Sequence, residues 1–480
     1  MYSVIDVGTT GVKLAVFDAS LNKIHFEKTS IGYKTLQTGR IEQDSQLMAE
    51  VVKGYARKAK SLGARKLALT TYRASVVAWN RNGSPISNIL TWIDGRGKEV
   101  IDRLPSWLKA FSALSSSMSR IIRPDTPAIL MRWLYDNVEG VREKVLSREA
   151  YVWTLDSFLL YSLTGRYVSD VTNSTLTGLV HPKNLEAVDI VSSILGLPKS
   201  YPEIVDSVED FGAFEGLEIK VSIADQQSAS VFHGLLDPGR VGSVHGTGSF
   251  VEQSASGFTM PKQGLVPVII AGIEGKRYYG VEGFLRTSGI AVDWLRNAGF
   301  YSTYEEMEQL ASNGKLKSIL LPFFGGLRVP EAPELRGVML GLDPSVSRAD
   351  VLLGLAWGVS LYIAYLLRTI METCGKPVQP LWASGGYSQS NVFLQTLANA
   401  TGMEVARPVS IEATIMGALK LLLYSDGKIS LKELKNSPSP SRVFKPEIDD
   451  VSRERIFESF REVLEVLVKW EKNPLLGGKF

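Results

Sequence analysis

The first residues of the chain form a pattern that can bind phosphate. Two short runs of β-branched and aliphatic residues, 2–7 and 12–17, flank the turn Gly8-Thr9-Thr10-Gly11, and this arrangement predicts a β-hairpin. A tight turn with glycine at both ends can direct backbone N–H groups and threonine hydroxyls toward one point, where phosphate oxygens need donors. From these residues alone, an ordinary surface hairpin with a polar tip remains the alternative.

Two charged residues flank this turn. Asp6 lies at the end of the first predicted strand, and Lys13 lies at the start of the second. A carboxylate at that position can hold Mg²⁺ through water. The alternative is an aspartate and a lysine that simply face solvent.

A second stretch, residues 239–254, repeats this design. A short β run leads into the turn Gly246-Thr247-Gly248, and Phe250 and Val251 continue as a strand. Each half of the chain is therefore expected to open with its own hairpin. A nucleotide held between two such hairpins resembles the phosphate clamp of the actin, Hsp70 and sugar kinase superfamily.

Composition limits the classes of function. A chain of 480 residues is too long for one hydrophobic core, so two domains are expected. The net charge is +3 and no run of basic residues occurs, so no nucleic-acid partner is expected. The single cysteine, Cys374, excludes a disulfide framework and a metal site built from thiolates. The four histidines lack metal-ligand spacing.

Two apolar stretches bear on location. The first is interrupted by Asp6 and is followed by no small-residue cleavage site, so we expect no signal peptide and a cytoplasmic protein. The second, residues 351–367, is uncharged and contains Gly354 and Gly358. Its 17 residues are at the short limit for crossing a bilayer. We therefore predict a covered core helix and no membrane partner.

The order of predicted strands and helices is α/β throughout. The turn near Pro238 suggests a boundary at about residue 235, which gives domains 1–235 and 236–480. Residues 107–125 are rich in serine and are interpreted as a loop-bearing insertion. In the second domain, Gly385-Gly386 follows a short strand, and a helix is expected to begin at Ser388.

Beyond these patterns, the chain resembles the FGGY carbohydrate kinases, the glycerol kinase and xylulokinase family, over nearly its whole length. The resemblance implies two actin/Hsp70/sugar-kinase-like (ribonuclease H-like) α/β domains with a central ATP cleft. Several of its landmarks are weak alone, but their order is specific. In chain order they are Asp6 with Gly8-Thr9-Thr10, Arg73, Trp92 with Asp94 and Arg96, Thr164-Gly165, Asp225-Gln226-Gln227, Gly246-Thr247-Gly248, Arg336-Gly337, Gly385-Gly386 and Thr414 with Gly417-Ala418.

The family pattern implies roles for several of these residues. Asp225 is the general base, because phosphoryl transfer to an alcohol needs a carboxylate within reach of the attacking hydroxyl; a helix-capping aspartate is the structural alternative. Asp6 and Asp225 are implied as the Mg²⁺ ligands, and Lys13 is a basic group near the phosphates or a solvated lysine. The remaining ATP contacts implied are Gly8, Thr9, Thr10, Gly246 and Thr247 for the phosphates, and Gly385, Gly386 and Asn391 for adenosine.

The acceptor pocket departs from the family pattern. Its implied residues are Arg73, Trp92, Asp94, Asp225 and Phe250. Glycerol kinases carry Arg-Glu after the strand that ends here at Thr71, whereas this chain has Arg73-Ala74. Losing one charge-assisted hydrogen bond costs about 1.5 to 3 kcal/mol. Other residues lean toward xylulokinases, so the pocket is a hybrid.

We therefore predict an ATP-dependent kinase, with Mg²⁺, that acts on a small polyol or ketose. The alternatives are an actin- or Hsp70-like nucleotide switch that binds protein, and an inactive relative of the kinases. The Trp92 segment and Asp225 argue against a switch, since a switch needs no alcohol pocket. The family is often dimeric, so the resemblance allows a homodimer.

Overall fold

The computed structural model describes residues 1–37, 39–115, 118–262, 264–471 and 473. Its first element is the hairpin predicted from the sequence. The first strand has buried side chains along nearly its whole length, as expected for a central strand. The strands of residues 1–233 are β1 (Tyr2–Gly8), β2 (Gly11–Phe17), β3 (Lys23–Ser30), β4 (Lys34–Gln37), β5 (Arg40–Gln43), β6 (Lys66–Thr71), β7 (Val76–Asn80), β8 (Ile89–Leu90), β9 (Ala150–Thr154), β10 (Val168–Asp170), β11 (Glu203–Val205), β12 (Val208–Phe214) and β13 (Leu217–Ala224).

The helices of the same part of the chain alternate with these strands. Asp44 caps the first helix by accepting the N–H of Leu47 at 2.9 Å. The helices are α1 (Ser45–Ser61), α2 (Gly97–Arg103), α3 (Ser106–Leu114), α4 (Met118–Ile121), α5 (Pro127–Asn137), α6 (Val141–Leu146), α7 (Leu155–Thr164), α8 (Val171–Ser174), α9 (Asp189–Ile194) and α10 (Asp225–His233), with a 3₁₀ turn at Thr175–Thr177.

The rest of the chain repeats the alternation. Its strands are β14 (Arg240–His245), β15 (Ser249–Ala255), β16 (Val266–Ile273), β17 (Lys276–Leu285), β18 (Ile319–Leu321), β19 (Val338–Leu340), β20 (Val378–Ser384), β21 (Val405–Pro408) and β22 (Pro440–Phe444). Its helices are α11 (Ser288–Asn297), α12 (Tyr304–Asn313), α13 (Arg348–Cys374), α14 (Asn391–Thr401), α15 (Ala413–Ser425), α16 (Leu431–Lys435) and α17 (Asp450–Lys469), with a 3₁₀ turn at Gly386–Gln389.

The chain divides into two compact units. Unit 1 contains Met1–Phe232, Val268–Tyr278 and Thr414–Asn436, and unit 2 contains His233–Pro267, Tyr279–Ala413 and Ser437–Phe480. Two segments from later in the sequence thus belong to unit 1. The boundary at residue 235 between two independent domains stays a prediction.

In unit 1, three parallel strands lie side by side. The order is β3-β2-β1-β6-β13-β12, and β1, β6 and β13 are parallel. Their registers align Val7 with Thr71 and Thr71 with Ala224. Because parallel strands all end at the same edge of a sheet, the residues that follow these three strands lie near one another.

Unit 2 is built in the same way. Its strands follow the order β22-β21-β20-β14-β15-β17, with β14 and β15 forming the second predicted hairpin. Strand β20 runs parallel to β14 and aligns Ser384 with Val244. The two turns that follow these strands therefore emerge at one edge.

The apolar stretch examined for a membrane span is a core helix. Within the described residues, α13 is the one helix with the length and hydropathy to cross a membrane, and 89% of its most apolar window is buried in the protein. A Cβ on Gly354 or Gly358 would lie 2.4 or 2.0 Å from a carbonyl oxygen of the segment 318–320. The two glycines therefore permit close packing, which confirms the prediction of a covered helix.

One prediction was wrong in part. Residues 107–125, expected to be irregular, contain α3 and α4. Trp107, Leu108, Phe111 and Leu114 recur at helical spacing, although only Leu108 of these four is buried. The prediction followed the serine-rich composition of the region and not this spacing.

Candidate functional site

Three residues expected to do chemistry lie at one edge of the sheet in unit 1. Asp6 lies near the end of β1, Arg73 lies two residues after β6, and Asp225 follows β13 directly. Neighbouring strands are about 4.8 Å apart, so the ends of β1 and β13 are separated by about 10 Å. This separation suits a phosphate group with an acceptor beside it.

The carboxylate of Asp6 is buried and receives two donors. The hydroxyl of Thr70 donates to it at 2.8 Å from the neighbouring strand, and the ammonium of Lys13 lies 3.6 Å away across the hairpin. Asp6 pairs with both residues in the strand registers. Lys13 therefore has a defined partner and is not simply solvated.

The turn after β1 is held by side chains that the sequence did not single out. The amide of Gln43 donates to the carbonyl oxygens of Thr9, at 2.9 Å, and of Ile31, at 3.1 Å. The hydroxyl of Tyr72 donates to the same amide's oxygen. Gly11 is required because a Cβ there would lie 2.3 Å from a backbone oxygen of the next strand. Gln43 and the packing at Gly11 therefore hold this turn in place.

Asp225 is the first residue of α10 and is half-buried. One of its carboxylate oxygens accepts the N–H of Gln226 at 2.8 Å. Its carbonyl oxygen accepts the hydroxyl of Thr414 at 3.3 Å. A Cβ on Gly417 would lie 1.7 Å from the carbonyl oxygen of Ser228, so α15 packs directly on α10. This contact explains why the sequence carries a glycine there.

Tyr72 connects the segment after β6 with the first hairpin. Its N–H donates to the carbonyl oxygen of Val7 at 2.8 Å. Complete burial raises the pKa of Tyr72 well above its usual value, and the nearby charges of Tyr33 and Asp225 raise it further. The phenol therefore stays neutral beside the carboxylate and remains a hydrogen-bond donor.

Arg73 and Trp92, which are expected to bind the acceptor, lie on two adjoining segments. The N–H of Trp92 donates to the hydroxyl of Ser75 at 3.0 Å, and Ser75 follows Arg73 by two residues. Between them, Ala74 has a φ of 57°, which is uncommon for a residue with a side chain. The structure therefore brings the segments of Arg73 and Trp92 together.

The carboxylate of Asp94 forms hydrogen bonds with other groups of the protein. Its carboxylate accepts hydrogen bonds from the N–H groups of Ile41 and Arg96 and from the guanidinium of Arg96, at 2.6 to 2.9 Å. Arg96 also binds Glu42 at 2.6 Å and stacks on Trp133. Asp94 thereby orders the segment that carries Trp92. Its direct contact with an acceptor stays a prediction.

In unit 2, the Gly246-Thr247-Gly248 turn meets the start of α11. The N–H groups of Gly289 and Ile290 donate to the carbonyl oxygen of Thr247 at 3.1 and 3.3 Å. A Cβ on Gly289 would lie 2.2 Å from the oxygen of Gly246. The positive end of a helix dipole therefore lies against this turn, which favours an anion there.

His245 supports the same turn from within the core. Its ring nitrogens lie 2.8 Å from the hydroxyl of Ser249 and 2.9 Å from that of Ser243. Burial, together with the nearby His233, lowers the pKa of His245 to about 3. The neutral ring can therefore donate from one nitrogen and accept at the other.

The two glycines after β20 differ in their surroundings. Gly385 has a φ of 90°, and a Cβ there would lie 2.6 Å from the carbonyl oxygen of His245. Gly386 has no atom within 4 Å of the position of a Cβ. Gly385 is thus required by the fold, whereas Gly386 is exposed and its contact with adenosine stays a prediction.

Asn391 and Phe250 both have partners in unit 2. The helix expected from Ser388 begins at Asn391, after a 3₁₀ turn. The side-chain oxygen of Asn391 accepts a hydrogen bond from the guanidinium of Arg407 at 3.1 Å. The backbone N–H of Asn391 donates to the carboxylate of Glu308 at 2.8 Å. Phe250 stacks on Phe284 across neighbouring strands. The contacts of Asn391 with adenine and of Phe250 with an acceptor stay predictions.

Comparison with known proteins covers nearly the whole chain. It is 28% identical to the glycerol kinase of Thermococcus kodakarensis over 494 residues, covering 98% of this chain and 97% of the relative. It is 29% identical to the glycerol kinase of Thermococcus onnurineus over 492 residues, covering 98% of each.

Solved structures share the fold. The glycerol kinase of Plasmodium falciparum with ADP superposes with a TM-score of 0.85 at 22% identity and covers 98% of each chain. The ligand-bound xylulose kinase of Lactobacillus acidophilus gives 0.83 at 18% identity, with 97% of this chain and 98% of that chain covered.

The family models match both halves of the chain. The N-terminal domain of the FGGY carbohydrate kinases matches residues 1–225, and the C-terminal domain matches residues 241–425. This protein is a member of the FGGY family of carbohydrate kinases, as its ordered landmarks predicted.

Proposed function

We propose that this ATP-dependent carbohydrate kinase phosphorylates a hydroxyl of a small polyol or ketose, with Asp225 as the general base. The observation that supports this most is the position of Asp225, at the end of β13 and at the same sheet edge as Asp6 and Arg73. A carboxylate in this position can reach an alcohol that lies next to a bound phosphate.

The chemistry follows from these positions. Asp225 accepts the proton of the acceptor hydroxyl while that oxygen attacks the terminal phosphorus of ATP, and ADP leaves with the electron pair of the broken bond. Backbone N–H groups and hydroxyls of Thr9, Thr10, Gly246 and Thr247 stabilise the charge on the phosphate oxygens. A base of this kind contributes about 10² to 10⁴-fold in rate.

The carboxylates also suit a magnesium ion that arrives with ATP. Within the described part of the chain, no three His, Cys, Asp or Glu side chains are grouped to hold a metal by themselves. Magnesium bound to nucleotide needs only one or two carboxylates besides the phosphate oxygens. Asp6 and Asp225 would supply them, and the ion would neutralise phosphate charge.

The acceptor class rests on the residues near Arg73. The relatives named above are kinases of glycerol and of xylulose, and a structure described as a gluconate kinase also shares the fold. Ala74 stands where the glycerol kinase pattern has a carboxylate, so a ketose or a longer polyol is the better candidate. Arg73, Trp92 and Phe250 would contact its hydroxyls and carbon chain. We also propose a cytoplasmic enzyme that forms a homodimer.

The direct test is ADP release from Mg-ATP across a panel of acceptors. The panel contains glycerol, erythritol, xylitol, D-xylulose, D-ribulose, L-ribulose and gluconate, and each is assayed with the wild-type protein and with Asp225→Ala. Release that depends on one acceptor and is lost in the variant supports the proposal. Release that no acceptor changes would favour a nucleotide switch, and no release at all would favour an inactive relative.

A further inference from the structure

A buried polar cluster lies behind the strand that carries Asp225. Its centre is Asp170, the last residue of β10, which is completely buried. The two oxygens of this carboxylate accept five hydrogen bonds of 2.7 to 3.1 Å, from the N–H and hydroxyl of Thr172, the N–H and amide of Asn173 and the hydroxyl of Ser207. Only an acceptor with no donor of its own suits this position.

The Asp170 carboxylate sets the direction of the next hydrogen bond. The hydroxyl of Thr172 has a single proton, which it donates to Asp170 at 2.7 Å. Its lone pairs are left to accept, and they accept the N–H of Ala224 at 2.9 Å. Ala224 is the last residue of β13, immediately before Asp225.

This hydrogen bond extends the pairing of β13 beyond the residues that face β12. The N–H of Ser222 donates to the carbonyl oxygen of Ser207 at 3.1 Å, just before β12 begins. Two residues on, the N–H of Ala224 points to the same side. There the hydroxyl of Thr172 takes the place of a backbone carbonyl.

We propose that Thr172, oriented by Asp170, is a positioning residue for Asp225. The hydroxyl of Thr172 holds the N–H of Ala224 and so fixes the end of the strand from which the base projects. This inference rests on the proposed role of Asp225. A displacement of about 1 Å in a reacting group can cost about 10²-fold in rate, so the loss of this one bond is expected to reduce kcat.

The chain offers a matched control in Thr177. It is as buried as Thr172, its hydroxyl donates to the carbonyl oxygen of Ser174 at 2.6 Å, and it accepts the N–H of Leu179 at 3.0 Å. Thr177→Val therefore removes one donated and one accepted hydrogen bond, as Thr172→Val does, although Thr177 donates to a carbonyl oxygen and Thr172 to a carboxylate. The N–H that it releases does not belong to β13.

The experiment compares kcat, the KM for ATP and the thermal midpoint of these variants on the best acceptor. We expect Thr172→Val to lower kcat by about 10 to 100-fold with little change in the KM for ATP. Thr172→Ser, which keeps the hydroxyl, is expected to restore most of the rate. Thr177→Val is expected to lower the thermal midpoint like Thr172→Val and to keep kcat. If Thr172→Val does not fold, Thr172→Ala takes its place in the same comparison.

The double variant with Asp225→Asn separates this inference from the proposed function. If Thr172 acts through Asp225, adding Thr172→Val to Asp225→Asn lowers the residual rate no further. The inference would be overturned if Thr172→Val and Thr177→Val lost kcat equally. It would also be overturned if Thr172→Val lowered the rate of the Asp225→Asn variant as much as it lowers the rate of the wild type. An Asp225→Asn variant with wild-type kcat would instead refute the general base.

Discussion

The hydroxyl of Thr70 donates a hydrogen bond to the carboxylate of Asp6 across 2.8 Å. The bond joins two parallel strands at the edge where both end. Lys13 lies on the other side of Asp6, across the hairpin. The carboxylate proposed to meet the magnesium of ATP is thus oriented from two neighbouring strands before any nucleotide binds.

Removing the hydroxyl of Thr70 is expected to weaken the use of Mg-ATP. Hydrogen bonds to charged groups contribute about 1.5 to 3 kcal/mol, so Thr70→Val should lower kcat/KM for Mg-ATP by about 10-fold or more. Thr71→Val is the control, because Thr71 is equally buried and its hydroxyl has no hydrogen-bond partner among the described residues. Equal kinetics in the two variants would show that the Thr70 contact does not orient Asp6 for catalysis.

Restoring a carboxylate beside Arg73 is expected to improve the use of glycerol. Ala74→Glu adds a charged acceptor where the glycerol kinase pattern has one, and the gain in kcat/KM for glycerol should be about 10 to 150-fold if the carboxylate binds a hydroxyl. The φ of 57° at Ala74 is already adopted by a residue with a Cβ. Ala74→Gln has the same length without the charge and should gain less. No gain from the glutamate would refute this account of the pocket.

The two glycines after β20 are expected to respond differently to alanine. Gly385→Ala should lower the thermal midpoint, because its φ of 90° and its contact with the backbone of His245 exclude a Cβ. Gly386→Ala should keep the thermal midpoint and raise the KM for ATP, because its Cβ would enter space proposed for adenosine. A Gly386→Ala variant with an unchanged KM for ATP would remove Gly386 from the proposed nucleotide site.

The buried acid Asp156 predicts a pH-dependent stability. Burial, and then the charge of Asp170, raise the pKa of Asp156 from 3.8 to about 7. Between those values the folded chain holds a proton that the unfolded chain releases, so this group makes the protein less stable as the pH rises toward 7.

Asp156→Asn removes this titration while keeping an oxygen for the hydroxyl of Ser169, which donates to Asp156 at 2.6 Å. Its gain in unfolding free energy over the wild type should be larger at pH 8 than at pH 5, by on the order of 2 kcal/mol. Equal gains at both pH values would mean that Asp156 is already ionised at pH 5.

Local sequence signals predicted much of the fold. The two hairpins and the covered helix that contains Gly354 and Gly358 occur as expected, because each is marked by its own residues. The helix over 106–114 was missed because the serine-rich composition of the region was weighed above the helical spacing of its apolar residues. The start of α14 was predicted three residues early, since Ser388 and Ser390 can both cap a helix and the structure uses Ser390.

The contacts that orient the candidate site could not be predicted in the same way. Thr70 and Asp6 are 64 residues apart, and Ala224 and Thr172 are 52 apart. Such pairs depend on which strands become neighbours, and a single sequence does not encode that order locally. Asp170 carried a weak signal, because aspartate is favoured at the N-cap of a helix, but nothing in the sequence connected it with Asp225.

The most direct test of the proposed base is the chemical step of Asp225→Asn in a single turnover. Asparagine keeps the size of the side chain and cannot take a proton, so the affinity for ADP in the absence of magnesium should change little. With a saturating acceptor, we expect transfer from ATP to slow by about 10² to 10⁴-fold, with ADP affinity measured separately by calorimetry. A variant that transfers phosphate at the wild-type rate would contradict the assignment of Asp225 as the general base.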